Sequence, residues 1–232
     1  MLCLYFSLSG LSDMGAGLAR CFGFRLPRSF NYPVFAMGVN DFCSKWHIPL
    51  VKWFDRYTVN PVTERISGKL ICSMVFVLSW GMIGLCYEFS YNKLIWGILI
   101  GAAAILEKKL SDGKTLKATA IAYTFAVTSI CTVFFMGGSI SYSFHYLLAM
   151  LGGNNNIADS AAFYLLKSYI AVLLVGIYAS TDLFRNMVQR SGKNKLKKLS
   201  EFASPIVVPT LLAVCTAMIS YSGASEMQLL CM

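Results

Sequence analysis

The chain has 232 residues, 56% of them hydrophobic and only 13% charged, with a mean hydropathy of +0.60 and a formal charge of +9. A soluble globular domain carries about 25% charged residues, so this composition excludes an ordinary water-facing surface and points to a bilayer as the solvent. The positive balance does not indicate nucleic acid, because the basic residues lie in short connections between apolar runs and form no basic-aromatic motif.

From the amino terminus, residues 1–19 lack a basic stretch ahead of their apolar residues, and Asp13 interrupts them. They read as the end of a membrane helix and the loop after it, not as a cleavable signal. Residues 20–69 hold Pro27, Pro33, Pro49 and Pro61 and no spanning run. Within them Phe42, Trp46, Leu50, Trp53 and Tyr57 recur at spacings of three and four, which predicts one aromatic helical face. Pro49 falls inside that pattern and predicts a kink or helix start near His47. The segment is expected to pack against the helices at the membrane border.

Five apolar runs follow, at 70–86, 89–106, 116–136, 160–180 and 204–221. Each approaches the ~20 residues a spanning helix needs, and unsatisfied backbone groups in lipid make helix the default. Of the 20 Lys and Arg residues, 18 fall in the connections 20–69, 107–117 and 182–203. The positive-inside rule places those three on the cytoplasmic side. Residues 141–151, bounded by glycine pairs, predict a short non-spanning helix on the outer side. Lys167, inside the fourth run, is expected to snorkel. The expectation is an all-α integral membrane protein: one membrane domain, 1–232, of about five transmembrane helices plus amphipathic border helices, with a tail at 222–232.

The eight cysteines form no C-x-x-C pair, and Cys72, Cys86, Cys131 and Cys215 lie in apolar runs. They read as small buried hydrophobes, not as a disulfide framework or a metal site. A transporter is disfavoured, since Lys167 is the one ionisable group well inside an expected span.

Three motifs then carry a resemblance. They are "SGLSDM" from Ser9, "GFRLPRSFNYP" from Gly23, and "DFCSKWHIPLVKWFDRYTVNP" from Asp41. In this order they resemble the membrane-bound O-acyltransferase family, in the branch of alginate O-acetyltransferase-like and D-alanyl transfer proteins. "KLIWGILIGAAAILEKKL" from Lys93 continues it more weakly. The resemblance covers the carboxy-terminal half of a typical member, so the chain reads as amino-terminally truncated.

The resemblance implies transfer of an acyl group, acetyl or D-alanyl, from a cytoplasmic thioester donor to hydroxyls of an extracellular polysaccharide or cell-envelope polymer. It implies no bound cofactor. The cosubstrate is acetyl-CoA or an acylated carrier protein, and the other partners are the lipid bilayer and the glycan acceptor, with no nucleic acid. His47 matches the family's supporting histidine. Trp46, Trp53, Tyr57, Asp41, Asn31 and Trp96 are the expected substrate-channel residues. Counting back from Trp96-Gly97 puts Tyr87 where the family carries its principal catalytic histidine.

Acyl transfer to a hydroxyl needs a base, and neutral imidazole suits that task near neutral pH. A tyrosine, with an ordinary pKa of about 10, does not. Pro49, Asp55-Arg56 and Thr63-Glu64 also depart from the family pattern, and Ser7 stands where it has an aspartate. The chain is therefore expected to be an impaired acyltransferase, or a non-catalytic membrane protein of the same family.

Overall fold

The computed structural model describes residues 1–66, 68–110, 117–150 and 160–180, all within the first of the chain's two units, Met1–Ser180. The expected fifth run 204–221, the basic connection 182–203 and the tail 222–232 lie outside the described residues.

Helix α1 spans Leu2–Cys21 without a break. The helix end and loop expected at 1–19 are one continuous helix. Asp13, Gly15 and Gly17 are exposed on it, so the charge meets no burial cost and the glycines only weaken the helix. The stop comes later, at Gly23 with φ +86°. There Gly23 N–H donates to the Arg20 carbonyl at 3.0 Å and Phe24 N–H to the Ala19 carbonyl at 2.9 Å. That pair of bonds is a Schellman ending, which needs the left-handed residue glycine supplies.

The next segment is a string of short elements. A 3₁₀ turn at Pro33–Phe35 leads to α2 (Val39–Lys45), α3 (Ile48–Phe54), a π turn at Asp55–Val59 and α4 (Asn60–Arg65). The helix start expected near His47 is present: His47 precedes α3 and Pro49 occupies its first turn, where a missing N–H costs nothing. This break shifts the helical phase. Phe42 and Trp46 are buried, but Trp53 and Tyr57 are 54% and 62% exposed, so the single aromatic face predicted across 42–57 does not form.

Four of the expected runs are helices: α5 (Lys69–Leu85), α6 (Tyr91–Leu110), α7 (Lys117–Met136) and α9 (Ser160–Ala179). The short helix expected at 141–151 is α8 (Ile140–Met150), with His145 exposed on it. Lys167 stands exposed on α9. The described residues contain no strand. Among the described residues one helix, at Thr119–Met136, is long and apolar enough to cross a membrane, and the 17-residue α5 falls just short in length.

Helices α5 and α6 pack with their backbones touching. A Cβ on Gly84 would collide with the Lys93 carbonyl, and one on Gly97 with the Trp80 carbonyl. Gly101, four residues from Gly97, faces the backbone of Val77. This small-xxx-small spacing allows close approach where lipid supplies no hydrophobic drive. On α7, Thr124, Thr128 and Thr132 are buried, and each donates to the carbonyl four residues back at 2.6–2.8 Å. These three hydroxyls are thus satisfied within the apolar helix, whereas the buried Ser129 hydroxyl on the same helix has no partner.

Residues 38–47 lie lengthwise against α6. Asn40 donates through its backbone N–H to Glu107 Oε2 at 3.0 Å and through Nδ2 to the Ala104 carbonyl at 2.8 Å. Trp46, six residues on, packs against Trp96 with ring centroids 6.2 Å apart. Ala104 and Trp96 are eight residues apart, about 12 Å along a helix at 1.5 Å per residue. The segment therefore runs along α6 from its carboxy-terminal end towards its amino-terminal end, because Glu107 and Asn40 fix one end and the tryptophans fix the other.

Candidate active site

Four of the residues singled out from the sequence meet: Trp46, His47, Tyr87 and Trp96. Each arrives from a different constraint. Trp46 ends α2, and His47 takes the left-handed conformation with φ 38° and ψ 57°. This region is sparsely populated outside glycine, although histidine enters it more readily than most residues. Two backbone bonds hold the turn: Asn31 N–H to the Lys45 carbonyl at 3.0 Å, and Ile48 N–H to the Ser29 carbonyl at 2.7 Å. They clamp Phe30 against both rings, stacked on His47 at 5.6 Å and edge-on to Trp46 at 5.1 Å.

Tyr87 follows the end of α5, and Trp96 lies on the first turns of α6, so the glycine seam brings them together with centroids 6.1 Å apart. Phe135 of α7 closes the group, 5.4 Å from Tyr87 and 4.9 Å from Trp96. Lys93 ties it in place. Its Nζ donates to the Phe135 carbonyl, lies 4.0 Å from the centre of the Phe135 ring and pairs with Glu88 at 3.4 Å. Asn92 Nδ2 donates to the Gly137 carbonyl one turn on. The end of α7 is thus capped by side chains from α6.

The polar core of the site is the Tyr87 hydroxyl. Trp46 Nε1–H donates to Tyr87 Oη at 3.2 Å, and His47 Nδ1 lies 2.9 Å from the same oxygen. An indole N–H only donates, so the oxygen accepts there. With the imidazole proton on Nε2, Tyr87 donates its phenolic hydrogen to His47 Nδ1; with it on Nδ1, Tyr87 Oη accepts from both rings. Burial pushes the His47 pKa below its usual range and the Tyr87 pKa above its own. Both shifts favour the neutral pair, because a charged form would lose solvation. In the Nε2–H tautomer the imidazole has the right form for a base, with its acceptor lone pair occupied by the phenol. Trp96 Nε1 is buried with no partner.

The other residues expected at the site lie elsewhere. Trp53 on α3 and Tyr57 on the π turn form an exposed ring pair, 5.3 Å apart. Asp41 pairs with Lys45 at 2.7 Å and accepts from Met37 N–H at 3.0 Å, closing the first turn of α2. Asn31 contributes its backbone to the clamp and leaves its side chain exposed. Phe30 and Phe135 were not anticipated as site residues. Phe30 sits inside the "GFRLPRSFNYP" stretch, a usable signal, whereas Phe135 lies in a uniformly apolar run. Among the described residues no cluster of His, Cys, Asp and Glu is arranged to hold a metal ion.

Comparison with known proteins gives the group its context. The chain is 29% identical over 157 residues to the peptidoglycan O-acetyltransferase of Helicobacter pylori, covering 65% of this chain and 30% of that protein. It is 26% identical over 213 residues to the "Probable alginate O-acetylase AlgI" of Azotobacter vinelandii, covering 88% and 43%. It is 24% identical over 102 residues to the teichoic acid D-alanyltransferase of Bacillus subtilis, covering 41% and 26%. These proteins are members of the membrane-bound O-acyltransferase family, and the chain is similar to them over the stretch it shares with each. It spans less than half the length of each. No family model matches the chain. No solved structure matches it.

Proposed function

We propose that the chain takes part in moving an acyl group, acetyl or D-alanyl, from a cytoplasmic thioester to hydroxyls of an extracellular polysaccharide or cell-envelope polymer, at a reduced rate. The relatives' names supply the reaction class. The observation that carries the reading is the Tyr87–His47 hydrogen bond within the Trp46–Trp96 cage. A base positioned to take a hydroxyl proton contributes about 10²–10⁴-fold. Here the base is present, held in its neutral form and oriented, but its acceptor atom is capped by a phenol. Direct proton abstraction from an acceptor must first break that bond, which slows turnover without removing the machinery.

The proposal includes a multi-pass topology of about five spanning helices in one membrane domain, with 107–117 and 182–203 cytoplasmic and a carrier protein or acetyl-CoA delivering the donor on that side. The one long apolar helix and the glycine seam support a bilayer setting. The capped lone pair also favours a second reading, a non-catalytic member of the family that binds partners or substrate without transferring the group.

The two readings separate in one assay. Purified chain in lipid nanodiscs is given an acyl thioester and a cell-envelope polysaccharide, and ester formation is followed. Slow turnover that disappears in His47→Ala supports transfer. Absence of turnover in the intact chain selects the non-catalytic reading.

A further inference from the structure

We propose that Tyr87 is the residue that carries the acyl group: its hydroxyl takes the group from the thioester while His47 Nδ1 takes the phenolic proton, and the tyrosyl ester then passes it to the acceptor. This rests on the acyl-transfer reading above and adds a covalent step to it.

Three observations converge on Oη. First, the Nδ1–Oη distance of 2.9 Å falls in the ~2.6–3.2 Å reach that marks an activated nucleophile and its base. Second, in the Nε2–H tautomer of His47 this contact directs the phenolic hydrogen at an unprotonated nitrogen, the orientation the transfer requires. Third, Trp46 Nε1–H donates to the same oxygen at 3.2 Å, so a stabilising donor is in place when that oxygen must leave as phenolate. The base is fixed as well, by the left-handed backbone at His47, the Phe30 stack and the two flanking backbone bonds. His47 and Tyr87 are both only partly buried as residues.

The chemistry balances without a redox partner. Oη attacks the thioester carbonyl carbon, a C–O bond forms, and the C–S bond breaks. The phenolic proton passes to Nδ1 and from there to the departing thiolate, which leaves as a thiol. Burial disfavours a free phenolate, so the proton leaves as the C–O bond forms. Acylation then uncaps the base, because the ester oxygen has no proton to give. Nδ1 is free to take the proton of the acceptor hydroxyl as that oxygen attacks the tyrosyl ester, and it returns the proton to Tyr87 Oη as the new ester departs. Burial raises the Tyr87 pKa and weakens the phenol as a leaving group, but Nδ1 returns the proton as Oη departs, so the phenol leaves neutral and the intermediate stays competent for transfer.

The test needs no acceptor. Intact chain in detergent is incubated in parallel with acetyl-coenzyme A and with S-D-alanyl pantetheine, quenched in acid, digested and analysed by mass spectrometry. The expected result is one acyl group on the Tyr87 peptide from at least one donor, released by hydroxylamine and absent in Tyr87→Phe. Its formation should be slower by about 10²-fold or more in His47→Asn, a variant that tolerates the left-handed backbone. Thermal unfolding of both variants separates a folding defect from a chemical one, and the intact chain is informative without either. No Tyr87 adduct from either donor overturns the inference, as does acylation confined to lysines at a rate His47→Asn leaves unchanged. Polymer acylation that persists in Tyr87→Phe sinks the inference and leaves the transfer reading intact. Absence of both adduct and polymer acylation removes the two together.

Discussion

His47 Nδ1 and Tyr87 Oη lie 2.9 Å apart, although 40 residues of chain separate them. The pair depends on two independent devices: a left-handed turn that aims the imidazole, and a glycine seam that sets the end of α5 against the start of α6. Disturbing either has measurable consequences.

Removing the Tyr87 hydroxyl strips a donor from His47 and an acceptor from Trp46, whose ring is 0% exposed. Tyr87→Phe should lower stability by about 1–3 kcal/mol, the cost of leaving buried partners unsatisfied. Chemical or thermal unfolding in detergent micelles measures it. A change within error would show that the hydroxyl is not part of a satisfied network.

Stability should also depend on pH through His47. Its folded pKa lies below the unfolded value of 6.5 because of burial. The unfolded chain therefore binds the proton more readily, so the contribution is complete above about pH 6.5 and is lost as pH falls through the lowered folded value. Protonation also turns Nδ1 from an acceptor into a donor facing a donor. Unfolding midpoints between pH 7 and pH 5 should fall in the intact chain, with a shallower slope in His47→Asn. Parallel slopes in the two would rule out His47 as the source.

The α5–α6 seam makes a sharper prediction. Val at Gly97 places its Cβ against the Trp80 carbonyl, and backbone cannot yield as a side chain can. Gly97→Val should cost on the order of 3 kcal/mol or more, towards or beyond the upper end of usual overpacking penalties, and it should separate Tyr87 from Trp96. Ala substituted at exposed Gly17, with no neighbour within 4 Å, is the control and should be neutral or slightly stabilising.

The proposed topology is open to labelling. Phe89, 95% exposed between α5 and α6, and Lys108, exposed near the end of α6, should lie on opposite sides of the bilayer. In a cysteine-free background, Phe89→Cys should react with an impermeant maleimide added outside intact cells. Lys108→Cys should react only after permeabilisation. Labelling of both from one side would overturn the alternation.

Much of the fold was legible because long apolar runs have few alternatives to helix, and α5, α6, α7 and α9 fall close to the expected limits. The short α8 was legible from its flanking glycines, and the break at His47 from Pro49. That Trp46, His47, Tyr87 and Trp96 serve one site was implied only by the family resemblance; nothing in the residues themselves announced that they meet. What stayed hidden were properties of phase and depth. A three-four spacing read across 42–57 ignores the turn at His47, which rotates Trp53 and Tyr57 outward. Amphipathicity does not reveal that residues 38–47 run along α6, since that path is set by Glu107 far away in the chain. The Gly97–Gly101 spacing was readable in "WGILIG" as a packing motif. Phe135 had no distinguishing signal among its apolar neighbours.

The central claim is that the His47–Tyr87 pair performs acyl transfer, and single-turnover kinetics of Tyr87→Phe test it most directly. Intact chain and variant, matched for folded fraction, are given a thioester donor and a cell-envelope polysaccharide at neutral pH. The account predicts ester formation by the intact chain and a loss of about 10²-fold or more in Tyr87→Phe. An unchanged rate, or a faster one because the phenol no longer caps Nδ1, would contradict the covalent step on Tyr87 and leave direct transfer by His47 standing; no ester formation by the intact chain would contradict the whole account.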